Sequence, residues 1–403
     1  MIYPYVGEVL LSPVPLQLSF NWCSHACSYC FANLSNPTRS FDLKEFQSQL
    51  KNIYSNNSLT STLLREKYPV LISNLVDPFS TSNYSISVPV MEMMTNMEIP
   101  IMIQTRGGRG VDDVLSFLPK SMWYISVPML NDDIRRQVEP AAPSIESRLQ
   151  LIDQLRAAGH EVLVGMCPCV SEFLPGKDRY KLLDILKAKG VHGIWLAPLH
   201  FNAKQLRAMP QQSKERLGEG LIKKGLKNAV MLEDPYFDFM DDIKEYASSL
   251  GLEVEGMLDG SKNHLFRPFY SIYKKTFPSI YNFINWCHET KKDNEPVYYE
   301  EFRRFMSSGY IKGAFNVSPY IRCMSKDLDE EIRATEGYKQ TFEWLLRLCW
   351  NDPRMKRNLN RYWTFAASVR YDGKEMIYNY DEQGNVYYHF NRLIYKEGFY
   401  INN

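Results

Sequence analysis

The chain has 403 residues, of which 45% are hydrophobic and 23% charged, and its formal net charge is +1. That length exceeds one average domain, and the balance excludes a disordered or low-complexity chain. Near-neutrality excludes a strong global field for nucleic acid or a membrane surface, although local basic patches remain. No stretch reaches the roughly 18–20 uncharged apolar residues of a membrane span. The start, Met1-Ile2-Tyr3-Pro4-Tyr5, lacks the basic and apolar regions of a secretory signal. A reducing, cytoplasmic setting with free thiols and no membrane partner is therefore expected.

From Leu16 to about His200, short apolar runs alternate with longer amphipathic ones, the pattern of repeated β-α units around a parallel sheet. The expected strands are Leu16–Asn21, Pro69–Ser73, Ile99–Gln104, Trp123–Val127, Glu161–Met166 and Gly193–Leu196. Helices are expected at Leu43–Tyr54, Ile145–Ala158 and Lys177–Lys189, the first after the start signal Ser40-Phe41-Asp42. Six such units predict an α/β fold, a partial (β/α)6 TIM-type barrel whose ligands gather at the C-terminal strand ends. Beyond His200 the pattern changes. A Lys/Arg-rich stretch over Gln205–Lys227 precedes a helix at Asp238–Leu250 and a strand at Leu252–Glu255. Helices are expected at Phe266–Cys287 and Ile332–Cys349. Strands at Ala366–Val369, Glu375–Tyr380 and Asn385–Phe390 would form a β-hairpin tail turning at Asp381–Gly384. The expected division is a barrel over 1–205, a mainly helical extension over 206–365 and the tail over 366–403.

The chemistry concentrates in Trp22-Cys23-Ser24-His25-Ala26-Cys27-Ser28-Tyr29-Cys30-Phe31, a C-x3-C-x2-C array after the first strand. Thiolates are soft donors that select iron–sulfur clusters and zinc. Three thiolates on a cubane leave one iron open for a ligand. A zinc site needs a fourth ligand, and His25, between the cysteines, is poorly placed to close it. A buried trio of structural thiols is the other alternative.

The array resembles the cluster motif of the radical SAM superfamily, C-x3-C-x-aromatic-C, with Tyr29 in the aromatic slot. Further segments resemble spore-photoproduct-lyase-like radical SAM proteins: Ser73-Asn74-Leu75-Val76-Asp77-Pro78-Phe79, Tyr124-Ile125-Ser126-Val127, Glu139-Pro140-Ala141-Ala142-Pro143-Ser144, Arg148-Leu149 and Val164–Pro168. They fall in the same order, over roughly residues 15–200. The resemblance implies that Cys23, Cys27 and Cys30 ligate a 4Fe-4S cluster. S-adenosyl-L-methionine (SAM) would chelate the open iron and be split reductively to a 5′-deoxyadenosyl radical. Tyr29 and Phe31 would lie against the adenine, Ser73 and Asn74 near the methionine amino group, and Ser126 near the ribose or methionine. Arg148 would pair with the carboxylate, a planar match. Asp77 before Pro78 reads either as a ligand contact or as a turn former, and Ser73 and Ser126 either as contacts or as strand ends.

Spore photoproduct lyases carry a cysteine hydrogen donor beside the second strand end, where this chain has none. Cys167 and Cys169 stand instead at the fifth strand end. If that strand continues through Pro168, both share one face, and were that face the barrel interior either could transfer hydrogen; otherwise they are small buried residues. The expected substrate is a nucleobase or modified nucleotide, including one in DNA, with a small metabolite or peptide as the alternative. The expected electron donor is a flavodoxin or ferredoxin. A non-catalytic metal-binding protein is the third class. Cys287, Cys323 and Cys349 lack cluster spacing but leave an auxiliary cluster open. The basic and aromatic run Arg354–Trp363 reads as a nucleic-acid contact or as a solvated helix face.

Overall fold

The computed structural model describes residues 1–4, 16–30, 32, 41–72, 75–228, 235–256, 267–275, 283, 286–287, 289–308, 346, 350, 379–384 and 386–390. The chain divides into two compact units. One comprises Met1–Tyr3, Leu16–Met257 and Pro268–Lys274; the other comprises Pro4–Pro15, Leu258–Arg267 and Lys275–Asn403.

The first unit is built on a sheet whose strands lie in sequence order, β1 to β8. They are β1 (Tyr3–Pro4), β2 (Leu16–Leu18), β3 (Val70–Ile72), β4 (Ile101–Thr105), β5 (Met122–Ser126), β6 (Glu161–Met166), β7 (Gly193–Leu196) and β8 (Glu253–Gly256). From β2 to β8 every pairing is parallel. Parallel neighbours need crossovers, and right-handed crossovers in unbroken order put their helices on one side of the sheet. That is the winding of a partial (β/α) barrel, and it lacks the reversal of strand order that marks an open doubly wound sheet.

The crossovers carry α1 (Leu43–Lys51), α2 (Leu59–Arg65), α3 (Tyr84–Asn96), α4 (Val111–Phe117), α5 (Asp132–Val138), α6 (Ile145–Ala157), α7 (Asp178–Ala188), α8 (Ala203–Ala208), α9 (Gln211–Asn228) and α10 (Pro235–Ser249). Local sequence sets their starts. Asp42 caps α1 by accepting from the Glu45 N–H at 2.9 Å, and Ser144 caps α6 by accepting from the Ser147 N–H at 3.1 Å.

The two faces of the sheet differ. One carries Leu16, Leu18, Val70, Ile72, Ile101, Ile103, Trp123, Ile125, Val162, Val164, Ile194 and Leu196, all buried. Each such aliphatic chain contributes about 1.5–3 kcal/mol by leaving water. The strand register places Gln17, Leu71, Met102, Gln104, Tyr124, Ser126, Leu163, Gly165 and Trp195 on the other face. Leu71, Gln104, Tyr124 and Trp195 there are only half-buried. Parallel sheets are ordinarily covered by apolar packing on both faces. A polar, partly open inner face is therefore a lining.

The sheet runs past the expected barrel end at 205, because β8 adds to β7. At Phe266–Cys287 the structure differs from the single helix expected. Helix α11 (Arg267–Ile272) stops, and Tyr273 follows outside it. The Tyr273 hydroxyl donates to Ile101 O at 2.7 Å and accepts from Met122 N at 3.0 Å, tying the starts of β4 and β5.

In the second unit, α12 (Tyr299–Ser307) follows β9 (Pro296–Val297), and a three-stranded antiparallel sheet has the order β10 (Asn379–Tyr380), β11 (Val386–His389), β9. The expected hairpin is present: the Gly384 N–H closes on Asp381 O at 3.0 Å, with Gly384 at φ +77. The tail is not separate, since β11 pairs with β9. The expected helix Ile332–Cys349, the strand Ala366–Val369 and the basic run Arg354–Trp363 lie outside the described residues, apart from single positions.

Candidate active site

The cysteine loop leaves the C-terminal end of β2. Ala26 sits at φ +52, which turns the chain tightly between the first two thiols. The Cys30 N–H donates to Cys27 O at 3.1 Å, and the Ser28 N–H donates to Val138 O at 2.8 Å, docking the loop on the end of α5. All three cysteines are free thiols; Cys27 is buried, and Cys23 and Cys30 are partly exposed. Burial first, then the charge of Asp77, pushes the Cys23 thiol up to about 11. Burial likewise holds Cys27 well above the ordinary thiol range. Unligated, both are protonated at neutral pH, so metal uptake must release protons.

Two buried carboxylates hold this loop. Glu139, just after α5, accepts from the Tyr29 hydroxyl, from Arg106 Nε at 3.1 Å and from Arg148 Nη2. Burial works to raise its pKa, but Arg148 and Arg106 outweigh it and hold the carboxyl at about 2. Asp77 accepts from Thr105 Oγ1 at 2.8 Å and Phe79 N at 3.0 Å on one oxygen, and from Arg106 N at 2.7 Å on the other. His25 Nε2 lies 3.3 Å from that second oxygen, at ion-pair distance but not aligned as a hydrogen bond. Burial again works to raise this carboxyl, while His25 and the bonds from Arg106 N and Thr105 lower it on balance. Arg106 joins both clusters, its backbone N–H to Asp77 and its guanidinium to Glu139 and the Tyr29 oxygen at 3.4 Å.

The structure places Arg148 inside the wall of the site. Its side chain is 0% exposed. Its Nε donates to Pro143 O at 3.1 Å, its Nη1 to Ser126 O at 3.0 Å and its Nη2 to Glu139. It braces the wall and has no face to offer a bound carboxylate. Arg106, on the loop after β4, remains partly exposed. The Asp77 carboxylate forms an Asx turn with Phe79 but also reaches two other segments, more than a turn requires. Tyr29 is buried, with its ring 5.7 Å from that of Phe173. Ser126 is buried on the lining face at the end of β5. Phe31, Ser73 and Asn74 lie outside the described residues.

Cys167 and Cys169 do not share an environment. Strand pairing ends at Met166, so alternation does not carry through Pro168. Cys167 accepts from the Tyr124 hydroxyl at 3.4 Å and donates to Trp195 O at 3.5 Å, among residues of the lining face. Burial pushes its thiol up to about 12. Tyr124 can reach it only because residue 165 is glycine: a Cβ there would fall 1.7 Å from the Tyr124 oxygen. Cys169 is fully buried. Cys287 is buried in the second unit, and Cys323 and Cys349 lie outside the described residues.

Among the described residues, no three His, Cys, Asp or Glu side chains converge as a single metal ion requires. An iron–sulfur cluster spreads its thiolates over several irons, and three free thiols on one loop are the soft donor set it takes. Buried polar atoms without hydrogen-bond partners include Ser28 Oγ in the loop and Gln17 Oε1 on the lining face of β2. Such atoms are costly unless a bound group satisfies them. Sequence reading missed Arg106, Glu139, His25 and Tyr124 as site residues. All four stand at predicted strand ends or in quoted motifs, and that position was the available signal.

No family model matches the sequence. Among curated proteins, the chain is 25% identical over 196 residues to uncharacterised proteins of Mycobacterium bovis and Mycobacterium tuberculosis, covering 45% of this chain. The match spans little more than half the length of those relatives, 57%. Among the described residues no helix is long and apolar enough to cross a membrane. Solved structures similar to this one include a spore photoproduct lyase variant with bound AdoMet and dinucleoside spore photoproduct, at TM-score 0.43 and 13% identity, covering 62% of this chain and 77% of that one. They also include Streptococcus suis SuiB bound to S-adenosylmethionine, at TM-score 0.39 and 12% identity, covering 64% of this chain and 50% of that one.

Proposed function

We propose that the chain is a radical SAM enzyme acting on a nucleobase or modified nucleotide. The observation that carries the reading is the Cys23–Cys30 loop, three free thiols at the C-terminal end of the first long crossover strand of a sequentially wound parallel sheet, above a polar inner face. Cys23, Cys27 and Cys30 would hold a 4Fe-4S cluster, and Tyr29, Phe31, Ser73, Asn74 and Ser126 would line the SAM site. Bound together, cluster and SAM would supply a 5′-deoxyadenosyl radical able to take hydrogen from an unactivated carbon.

This chain's residues bind and position. Arg106 takes the place expected of Arg148: its partly exposed guanidinium is fixed by Glu139 and suits a carboxylate. The lining side chains Gln17, Gln104, Tyr124 and Ser126 present neutral donors and acceptors, and Trp195 and Tyr124 present rings, which suits a flat, uncharged, hydrogen-bonding base. Cys167, held between Tyr124 and Trp195 O, would be the thiol that exchanges hydrogen with the substrate; its position among lining residues supports that reading. A flavodoxin or ferredoxin would deliver the electron.

The test is SAM cleavage in the presence of candidate substrates. Release of 5′-deoxyadenosine should rise with nucleosides, nucleotides or DNA. Binding to DNA should weaken as salt increases. Stimulation by peptides or metabolites alone would overturn the substrate class, and absence of release under every condition would overturn the enzyme class.

A further inference from the structure

We propose that Asp77 is a positioning residue for the iron–sulfur cluster: its buried carboxylate fixes the Cys23 end of the loop against β4, and its charge makes the bound cluster harder to reduce. The inference rests on the radical SAM reading.

The contacts around Asp77 come from three separate segments. After burial, its charge is the next cause that raises the Cys23 thiol. Its carbonyl accepts from Asn83 Nδ2 at 2.9 Å, and the same Nδ2 donates to Trp22 O at 2.8 Å. Its carboxylate reaches Thr105, Arg106 N and, across 3.3 Å, His25. Cys23 is thus bracketed at the residue before it and at the second residue after it. A turn former needs only the Phe79 bond.

The site also requires an anion. Both oxygens accept hydrogen bonds, one from a hydroxyl and a backbone N–H and the other from a backbone N–H. An asparagine amide would set a donor against one of those donors. The charge therefore stays beside Cys23. Reduction moves one electron from an external reductant to the oxidised cluster, with no bond made or broken. A fixed anion against the ligand loop opposes the added charge and lowers the potential. The Arg106 guanidinium is turned to Glu139, and His25, across 3.3 Å, is the group that faces the Asp77 charge.

Two variants separate this role from loss of fold. Asp77→Asn removes the charge. Thr105→Val keeps it and removes a hydrogen bond that disperses it. After anaerobic reconstitution with iron and sulfide, each is titrated potentiometrically with dithionite and followed by electron paramagnetic resonance. Asp77→Asn should move the cluster to a less negative potential and Thr105→Val to a more negative one. Simple loosening of the loop would move both the same way. Wild-type protein that loads a cluster, with both variants at the wild-type potential or both displaced in one direction, overturns the inference alone. If Asp77→Asn does not fold, Thr105→Val at the wild-type potential is sufficient to overturn it. Wild-type protein that takes up no iron removes the functional reading and this inference with it.

Discussion

Glu139 accepts from Tyr29, Arg106 and Arg148 at once, and Arg148 has no exposed surface. Removing one member of such a buried set leaves charge uncompensated and costs about 3–5 kcal/mol. Glu139→Gln should therefore lower urea stability by that order. The pH dependence has a definite sign. The carboxyl titrates near 4.5 in the ordinary case and is held at about 2 here. Its contribution to stability is complete above the ordinary value and is lost as pH falls through it toward the lower one. Denaturation followed down that range should show a flatter acid limb for Glu139→Gln than for wild type; parallel limbs would contradict the network. The two arginines also show what sequence does not carry. Arg148 and Arg106 are chemically alike and both sit near expected ligand positions. Only burial and hydrogen-bond partners separate the brace from the partly exposed guanidinium. The three cysteines were legible because their chemistry and their proximity both lie in one short segment. Glu139, Arg106 and Tyr29 meet from three distant segments, and no local spacing encodes that meeting.

Strands β6 and β7 match the expected Glu161–Met166 and Gly193–Leu196 end for end. Both are short apolar runs bounded by polar turns, and burial follows directly from that pattern. The end of α11 was not legible, because Tyr273 is fixed by the distant residues Ile101 and Met122. The condition for Cys167 and Cys169 to share a face, a strand that continues through Pro168, is not met, because the strand stops at Met166. Two substitutions test how elements shape the site. Gly165→Ala would drive a methyl into the Tyr124 oxygen. It should displace the ring from Cys167 and lower stability by about 1–3 kcal/mol. Cluster loading should survive, because the cysteine loop springs from β2. Thermal unfolding and iron content measured together check both halves, and loss of iron would show that the lining and the loop are not independent. Ser144→Ala removes the cap of α6, the helix that carries Arg148. It should cost about 1 kcal/mol in urea unfolding and leave SAM cleavage unchanged.

At the scale of the molecule, sequential parallel winding leaves one sheet face apolar and covered and the other polar and half-open. The C-terminal strand ends then bring Cys23, Asp77, Arg106 and Ser126 to one rim, although the sequence spreads them over four strand–helix connections. The second unit has its own aromatic core around Phe283, Phe302 and Trp350, with rings of the last two stacked 5.1 Å apart. The measurement that bears most directly on the central claim is anaerobic. Wild-type protein and the Cys23→Ala/Cys27→Ala/Cys30→Ala variant are reconstituted with iron and sulfide, and iron content and spectrum are recorded. Dithionite and SAM are then added and 5′-deoxyadenosine is quantified. Wild type should bind iron and sulfide as a 4Fe-4S cluster and release 5′-deoxyadenosine, while the folded variant should do neither. A colourless wild-type protein that holds zinc and leaves SAM intact would contradict the account and make the Cys23–Cys30 loop a structural site.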